Sequence, residues 1–118
     1  MPWNKKAAVN YAQLHAQGKS THYCARFVCN AVNAGGIRLT CANAKDLGRY
    51  LVDAGFYETH DLLQVGDIAV IQGTQHHEYG HVCIFDGHQW ISDFRQKTMY
   101  PGVEYRALKP SFIIYRHD

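Results

Sequence analysis

The sequence predicts an α+β fold in which helices come first and an antiparallel sheet follows. The first half is rich in helix-forming residues, with apolar side chains at helical spacing. After Gln64 the pattern changes to short runs of β-branched and aromatic residues bounded by Gly, Asp and His. Helices and strands that occupy separate parts of a chain are typical of α+β proteins. The chain has 118 residues, 47% of them hydrophobic, so we expect residues 1–118 to form one domain with one core.

Three helices are predicted in the first half. The first covers residues 5–17, which are rich in Ala, Gln and Leu. The second covers about Tyr23 to Asn33, with Ser20 or Thr21 as its N-cap. One face of this second helix carries residues at helical spacing: Cys24, Phe27, Val28 and Ala31. The third helix ends at Ala54, where a glycine follows.

Four strands are predicted in the second half, and they are Asp67–Ile71, His81–Phe85, Gln89–Phe94 and Ser111–Arg116. The Asp86-Gly87 pair between the second and third strands indicates a hairpin. If the turn is centred on Gly87, His81 and Asp93 lie opposite each other on neighbouring strands. The hairpin would then hold an imidazole beside a carboxylate.

Charge and hydropathy exclude several kinds of partner. The chain has 12 Lys and Arg against 10 Asp and Glu, a net charge of +2, with no basic stripe of the kind that binds nucleic acid. No run approaches the ~20 apolar residues that span a bilayer. The N-terminal segment has no continuous apolar core, because Asn10, Gln13 and His15 interrupt it, so we expect no signal peptide. We expect a monomer that is made in the cytoplasm and does not insert into membranes.

The four cysteines, Cys24, Cys29, Cys41 and Cys83, match no paired C-x-x-C zinc pattern. On one helix, Cys24 and Cys29 would point about 140° apart, so a bridge between them is implausible. If Cys24 is a nucleophile, at most one disulfide can form among the other three. Taken alone, Cys24 is more readily explained as a buried core residue, since free cysteines are among the most buried residue types.

Cys24, His81 and Asp93 together match the needs of a thiol nucleophile. A helix start, where Cys24 lies, favours the thiolate, and a histidine base held by a third group takes up the proton. His81 opens a predicted strand, and Asp93 lies across the hairpin. The backbone N–H of Cys24 would bind the oxyanion. The second donor is open, with Tyr11 and Tyr23 as candidates.

A competing zinc motif overlaps the base. Residues 77–81 match H-E-x-x-H, which binds zinc only when both histidines project from one face of a helix. Gly80 and the β-rich run that starts at His81 argue against a helix here. We therefore expect His76, His77 and Glu78 to form a loop at the rim of a cleft, and we expect no metal and no organic cofactor.

Four sequence blocks surround the candidate residues: Tyr23–Val28 with Ala34–Gly36, Val65–Val70, Gly80–Gly87 and Trp90–Phe94. Together they resemble the NlpC/P60 and CHAP group of papain-like peptidoglycan amidases, over about residues 7–116. The resemblance implies a papain-like fold in which Cys24 is the nucleophile, His81 is the base and Asp93 orients the base. It implies cleavage of amide bonds in the stem peptides of peptidoglycan.

The small size also resembles the amidase effectors of type VI secretion and some phage endolysins. For an effector, the resemblance implies export by a secretion system, action in the periplasm of a rival bacterium and a cognate immunity protein. The alternatives are a phage lysin, a cysteine protease or acyltransferase with another substrate, and a non-catalytic module that binds cell wall. In the last of these, Cys24 would be structural.

Overall fold

A six-stranded antiparallel sheet forms the centre of the computed structural model, which describes residues 2–118. Its strands are β1 (Tyr57–Thr59), β2 (Ile68–Ile71), β3 (His81–Phe85), β4 (Trp90–Ile91), β5 (Arg95–Gln96) and β6 (Phe112–Arg116). The helices are α1 (Lys5–His15), α2 (Cys24–Ala34), α3 (Leu47–Asp53, extended at its start by a 3-10 turn, Ala44–Asp46) and α4 (Val103–Leu108). The strand order is β1-β6-β2-β3-β4-β5. The predicted α+β, papain-like fold class is confirmed.

Helix α1 begins where the side chain of Asn4 accepts a hydrogen bond from the backbone N–H of Ala7 at 3.0 Å. It ends at His15, two residues earlier than predicted, because the chain becomes extended at Ala16. The N–H of Gln17 then donates to the backbone oxygen of Asp93 at 2.7 Å. This contact joins the segment between α1 and α2 to the end of β4.

The predicted cap of α2 is wrong. Tyr23 occupies the N-cap position and its side chain makes no capping hydrogen bond. Thr21 lies two residues before Tyr23, and its hydroxyl accepts from the N–H of Tyr23 at 3.3 Å. The first N–H groups of α2 therefore keep their hydrogen-bonding capacity. Cys24 is the first residue of the helix, so its thiol lies beside these groups.

The sheet is covered on both faces. Ile68, Val70, Val82 and Ile84 pack in the large core that includes α1, α2 and α3. The alternate residues of the same strands, with Cys83 among them, pack on the other face in a smaller cluster that includes Tyr105 of α4. His81, two residues before Cys83, shares this second face.

The hairpin register differs by one residue from the prediction. Ile84 lies opposite Ile91 and Phe85 opposite Trp90, whereas a turn centred on Gly87 would place Ile84 opposite Trp90. The cause is Asp86, whose carboxylate accepts from two backbone N–H groups, those of His88 at 2.8 Å and Gln89 at 2.7 Å. The turn therefore spans residues 86–89. Strand β4 then stops after two residues, so the predicted strand 89–94 is wrong beyond Ile91.

A disulfide joins Cys29 to Cys41, with 5.9 Å between their Cα atoms. It ties α2 to the segment before the 3-10 turn. Cys24 and Cys83 are free, which agrees with the expectation of at most one bridge that excludes Cys24. None of the helices in residues 2–118 is long and apolar enough to span a membrane.

Candidate active site

A cleft of about 710 Å³ lies between the start of α2, the loop before β3, and α4. Cys24, His81 and Asp93 all line it. The structure therefore brings the three residues predicted from the sequence to one place. The turn at His76 and His77 and Tyr105 of α4 also line this cleft.

Gly80 explains how His81 reaches the cleft. Gly80 has a φ of +74°, a backbone conformation that favours glycine. A side chain there would also collide with the backbone oxygen of Ile71 on the neighbouring strand. The glycine thus allows the chain to turn sharply into β3, whose first residue is His81.

The thiol of Cys24 is half-buried at the start of α2. Burial raises its pKa, and the negative charge of Asp93 acts in the same direction. Nearby backbone N–H groups, those of Val82, Ala25 and Cys24 itself, act in the opposite direction because they favour the thiolate. Helix α2 packs on β3, the strand that begins with His81.

Gln96 determines the tautomer of His81. The Nε2 atom of His81 lies 2.7 Å from the Oε1 atom of Gln96. The amide nitrogen of Gln96 donates to the backbone oxygens of Thr98 at 3.0 Å and Met99 at 2.9 Å, which fixes the amide with its oxygen towards the ring. Nε2 of His81 must therefore carry the proton. The Nδ1 atom of the neutral ring keeps its lone pair and can act as a base.

Burial lowers the pKa of His81, which is only 7% exposed, and the Gln96 hydrogen bond and the charge of Asp93 offset this in part. The opposite shifts of the two groups, upward for Cys24 and downward for His81, favour a neutral thiol beside a neutral imidazole.

Asp93 has other partners than the predicted one. Its carboxylate accepts from the backbone N–H of Thr21, from the Thr21 hydroxyl at 2.8 Å and from the Ser92 hydroxyl at 3.0 Å. Burial alone would raise the pKa of Asp93, but these hydrogen bonds outweigh it and lower the pKa. The carboxylate ties the segment before Cys24 to the end of β4. The predicted contact with His81 depended on the hairpin register, which is one residue different.

Gln96 was missed in the sequence. It lies in a two-residue strand, β5, which is not bounded by the Gly and Asp turn residues that mark the predicted strands. Its side chain is 2% exposed although it is polar, which only a satisfied hydrogen-bond network explains. A search for a polar residue that follows the hairpin partner strand could have identified it.

The H-E-x-x-H segment is not helical, as predicted. Residues 72–80 form turns, and β3 begins at His81. His76 and His77 instead face Glu104 of α4, with nitrogen–oxygen distances of 2.7 Å and 3.7 Å. Within residues 2–118 no group of three or more His, Cys, Asp or Glu side chains is arranged to hold a metal ion.

Alkylation should measure the protonation state of Cys24. With iodoacetamide, Cys24 should be the thiol of the folded protein that reacts, because Cys83 is fully buried and Cys29 and Cys41 are bridged. Since the pKa of Cys24 is raised, its thiolate is a minor species at pH 6, and the rate should rise with pH past the ordinary thiol value of about 8.5. A rate that is already high and constant from pH 6 to 8 would instead indicate a preformed thiolate–imidazolium pair.

The CHAP domain family matches residues 15–100, a segment that contains Cys24, His81 and Gln96. The structure is similar to that of the type VI native effector–immunity complex Tae3–Tai3 from Ralstonia pickettii, with 41% identity, a TM-score of 0.95, and 98% of this chain and 100% of that chain covered. A selenomethionine form of that complex matches at 42% identity and a TM-score of 0.90, covering 92% and 98% of the two chains.

A search of curated proteins gave no significant match. The family match covers well over half of the chain, and the structural match extends along nearly all of it at more than 40% identity. This chain belongs to the CHAP domain family.

Proposed function

We propose that the protein is a cysteine amidase that cleaves stem-peptide amide bonds of bacterial peptidoglycan, with Cys24 as nucleophile and His81 as general base. One observation carries the proposal. The ring of His81 is held in the tautomer that leaves Nδ1 free, in the same cleft as a cysteine at an uncapped helix start. A nucleophile and a base in one cleft, with a third group that orients the base, are the pattern of covalent acyl transfer.

The reaction begins when the Cys24 sulfur attacks the amide carbonyl carbon and its proton passes to Nδ1 of His81. The new C–S bond places negative charge on the carbonyl oxygen, which the N–H of Cys24 can bind. The C–N bond then breaks, and His81 returns the proton to the leaving amine. Water, deprotonated by His81, hydrolyses the thioester and restores the thiol. Each step uses side chains that line the cleft and requires no cofactor.

In this mechanism Gln96 takes the orienting role that the sequence suggested for Asp93. A hydrogen bond at 2.7 Å from Nε2 to Gln96 keeps the ring in place and stabilises the imidazolium that forms during attack. Asp93 acts as a positioning residue, because it holds Thr21, three residues before Cys24. Its negative charge also favours the protonated form of His81.

We propose further that the protein is a type VI secretion effector that acts in the periplasm of a target bacterium. Its similarity to the Tae3 effector along the whole chain supports this, and so does a disulfide, which oxidising compartments preserve. The same similarity suggests a cognate immunity protein as its partner, since the two similar structures named above are effector–immunity complexes.

Digestion of purified peptidoglycan tests the activity. Mass spectrometry of the products should show fragments with a new amine and a new carboxylate within the stem peptide, and their masses identify the bond. If muropeptides remain intact after incubation with folded protein in which Cys24 is a free thiol, the amidase proposal is refuted. That result would favour a module that only binds cell wall.

Expression with and without a fused export signal tests where the substrate lies. We expect lysis only from the exported form, and only when Cys24 is present. Toxicity of the unexported form that depends on Cys24 would move the substrate into the cytoplasm and favour a protease or acyltransferase.

A further inference from the structure

We propose that the hydroxyl of Tyr105 is a further catalytic group of this site, the second hydrogen-bond donor to the carbonyl oxygen of the scissile amide. The inference rests on the proposed function, in which an oxyanion forms when Cys24 attacks. The N–H of Cys24 supplies one donor, and the sequence left the second one open between Tyr11 and Tyr23.

Tyr105 is a buried residue that faces the reacting groups. It lies on α4 and is 3% exposed, and its ring packs on the sheet face that also carries Ile71 and Cys83. The ring centroid lies 6.0 Å from that of His81 and 5.1 Å from that of His77. Tyr105 also lines the cleft that contains Cys24.

The hydroxyl of Tyr105 makes no hydrogen bond within residues 2–118, and only burial and nearby charges shift its pKa. It is not a fully buried group left without a partner. Because Tyr105 lines the cleft, the cleft is where this hydroxyl can find a partner. Tyr100, on the same sheet face, differs: its hydroxyl donates to the backbone oxygen of Pro110 at 2.7 Å.

The protonation state of Tyr105 suits a donor. Burial, together with the charges of Cys24 and Glu104, raises the pKa of Tyr105 to about 12. The hydroxyl therefore keeps its proton throughout the reaction and donates a hydrogen bond without transferring it. Tyr105 and Cys24 line the same cleft.

The backbone of Tyr105 is held in place by its neighbour Glu104. The carboxylate of Glu104 accepts from the hydroxyl of Thr74 at 2.6 Å and faces Nδ1 of His76 at 2.7 Å. These contacts fix α4 to the loop that precedes β3. A donor fixed before the substrate arrives stabilises a developing charge better than a mobile one.

Neither of the tyrosines favoured from the sequence fits as well. Tyr11 stacks on His15 within α1, with ring centroids 3.7 Å apart, and does not line the cleft. Tyr23 does line the cleft, but it is 58% exposed and its ring lies under the guanidinium of Arg26. A solvated, mobile hydroxyl is a weaker oxyanion donor than a fixed one in a water-poor wall.

The test is Tyr105→Phe, which removes the hydroxyl and keeps the ring. On peptidoglycan, kcat should fall about 100-fold with little change in KM, the usual effect of losing one oxyanion donor. Tyr79→Phe is the matched control, because Tyr79 lines the same cleft but is 58% exposed, and it should keep wild-type rates. Wild-type kcat in Tyr105→Phe would overturn the proposal.

Two small reagents test this proposal independently of the proposed peptidoglycan substrate. Acetylation of Cys24 by p-nitrophenyl acetate passes through an oxyanion, whereas alkylation by iodoacetamide does not. Tyr105→Phe should slow acetylation and leave the rate and pH profile of alkylation unchanged, whatever the enzyme does to peptidoglycan. Equal acetylation rates would overturn the oxyanion assignment. A shifted alkylation profile would overturn it too, because the hydroxyl would then bind the sulfur.

Discussion

Cys24→Ala is expected to abolish the hydrolysis of peptidoglycan while leaving the fold intact. Without the sulfur there is no thioester pathway, and loss of a nucleophile typically lowers kcat by about 10⁴-fold or more. The substitution should be structurally mild, because Cys24 is half-buried at the edge of the cleft and forms no disulfide. Product release should be followed by mass spectrometry, and the fold by circular dichroism and thermal unfolding.

The second free cysteine provides a matched control for this experiment. Cys83 is fully buried, and the sulfur packs within the smaller core cluster. Cys83→Ala should therefore lower thermal stability and retain catalysis, the reverse of what is expected for Cys24→Ala. Peptidoglycan hydrolysis by Cys24→Ala near the wild-type rate would exclude Cys24 as the nucleophile.

His81→Ala should be nearly as damaging as Cys24→Ala, because nucleophile and base act as a unit. The wild-type pH profile should show the same group. Since burial lowers the pKa of His81, the neutral base persists to below the ordinary value of about 6.5, and kcat/KM should fall only at more acidic pH. In His81→Ala this acid limb should disappear from the remaining activity.

His77→Ala is the control for His81→Ala, because His77 lines the same cleft but its side chain is 45% exposed at the rim. It should keep most of the activity. Strong loss of activity in both His77→Ala and Glu78→Ala, together with inhibition by EDTA, would instead support a metal mechanism. Gln96→Ala should lie between these extremes, since it removes the partner of Nε2 but leaves Nδ1 in place.

The helical half was predictable because its signals are local. Apolar spacing along Cys24–Ala34 and the glycines that follow fix α2 to within one residue of the prediction. The same local signals predict Cys24 at the start of a helix and His81 at the start of a strand, which is where the structure has them. Their proximity follows because α2 packs on β3.

The third member of the site was not predictable by the same reasoning. Its assignment depended on a register that a single side chain, Asp86, shifts by one residue. Asp93 also lies beyond Ile91, where β4 ends, so the sheet does not hold it opposite His81. The true partner, Gln96, lies beyond a bend after which the chain pairs again for only two residues. Short elements such as β5 and α4 depend on tertiary contacts more than on local propensity.

Asp67 belongs to one of the four sequence blocks that resemble the family, and its role in this block is structural. It is fully buried before β2, and its carboxylate receives the guanidinium of Arg116 in β6 at 2.8 Å and 2.9 Å. The backbone N–H of Gln64 donates to the same carboxylate at 2.8 Å. The Gly-Asp pair before β2 therefore joins two central strands and lies outside the cleft.

The disulfide between Cys29 and Cys41 makes the stability of the protein depend on the redox state of its surroundings. Cytosolic reductants keep thiols apart, whereas oxidising compartments let them pair. Closing a loop over a sequence separation of 12 contributes about 3 kcal/mol to folding, and here it braces the helix that begins with Cys24. If the protein works in the periplasm, as proposed, it is easier to unravel in the cell that makes it and more resistant to proteolysis in the cell that it attacks.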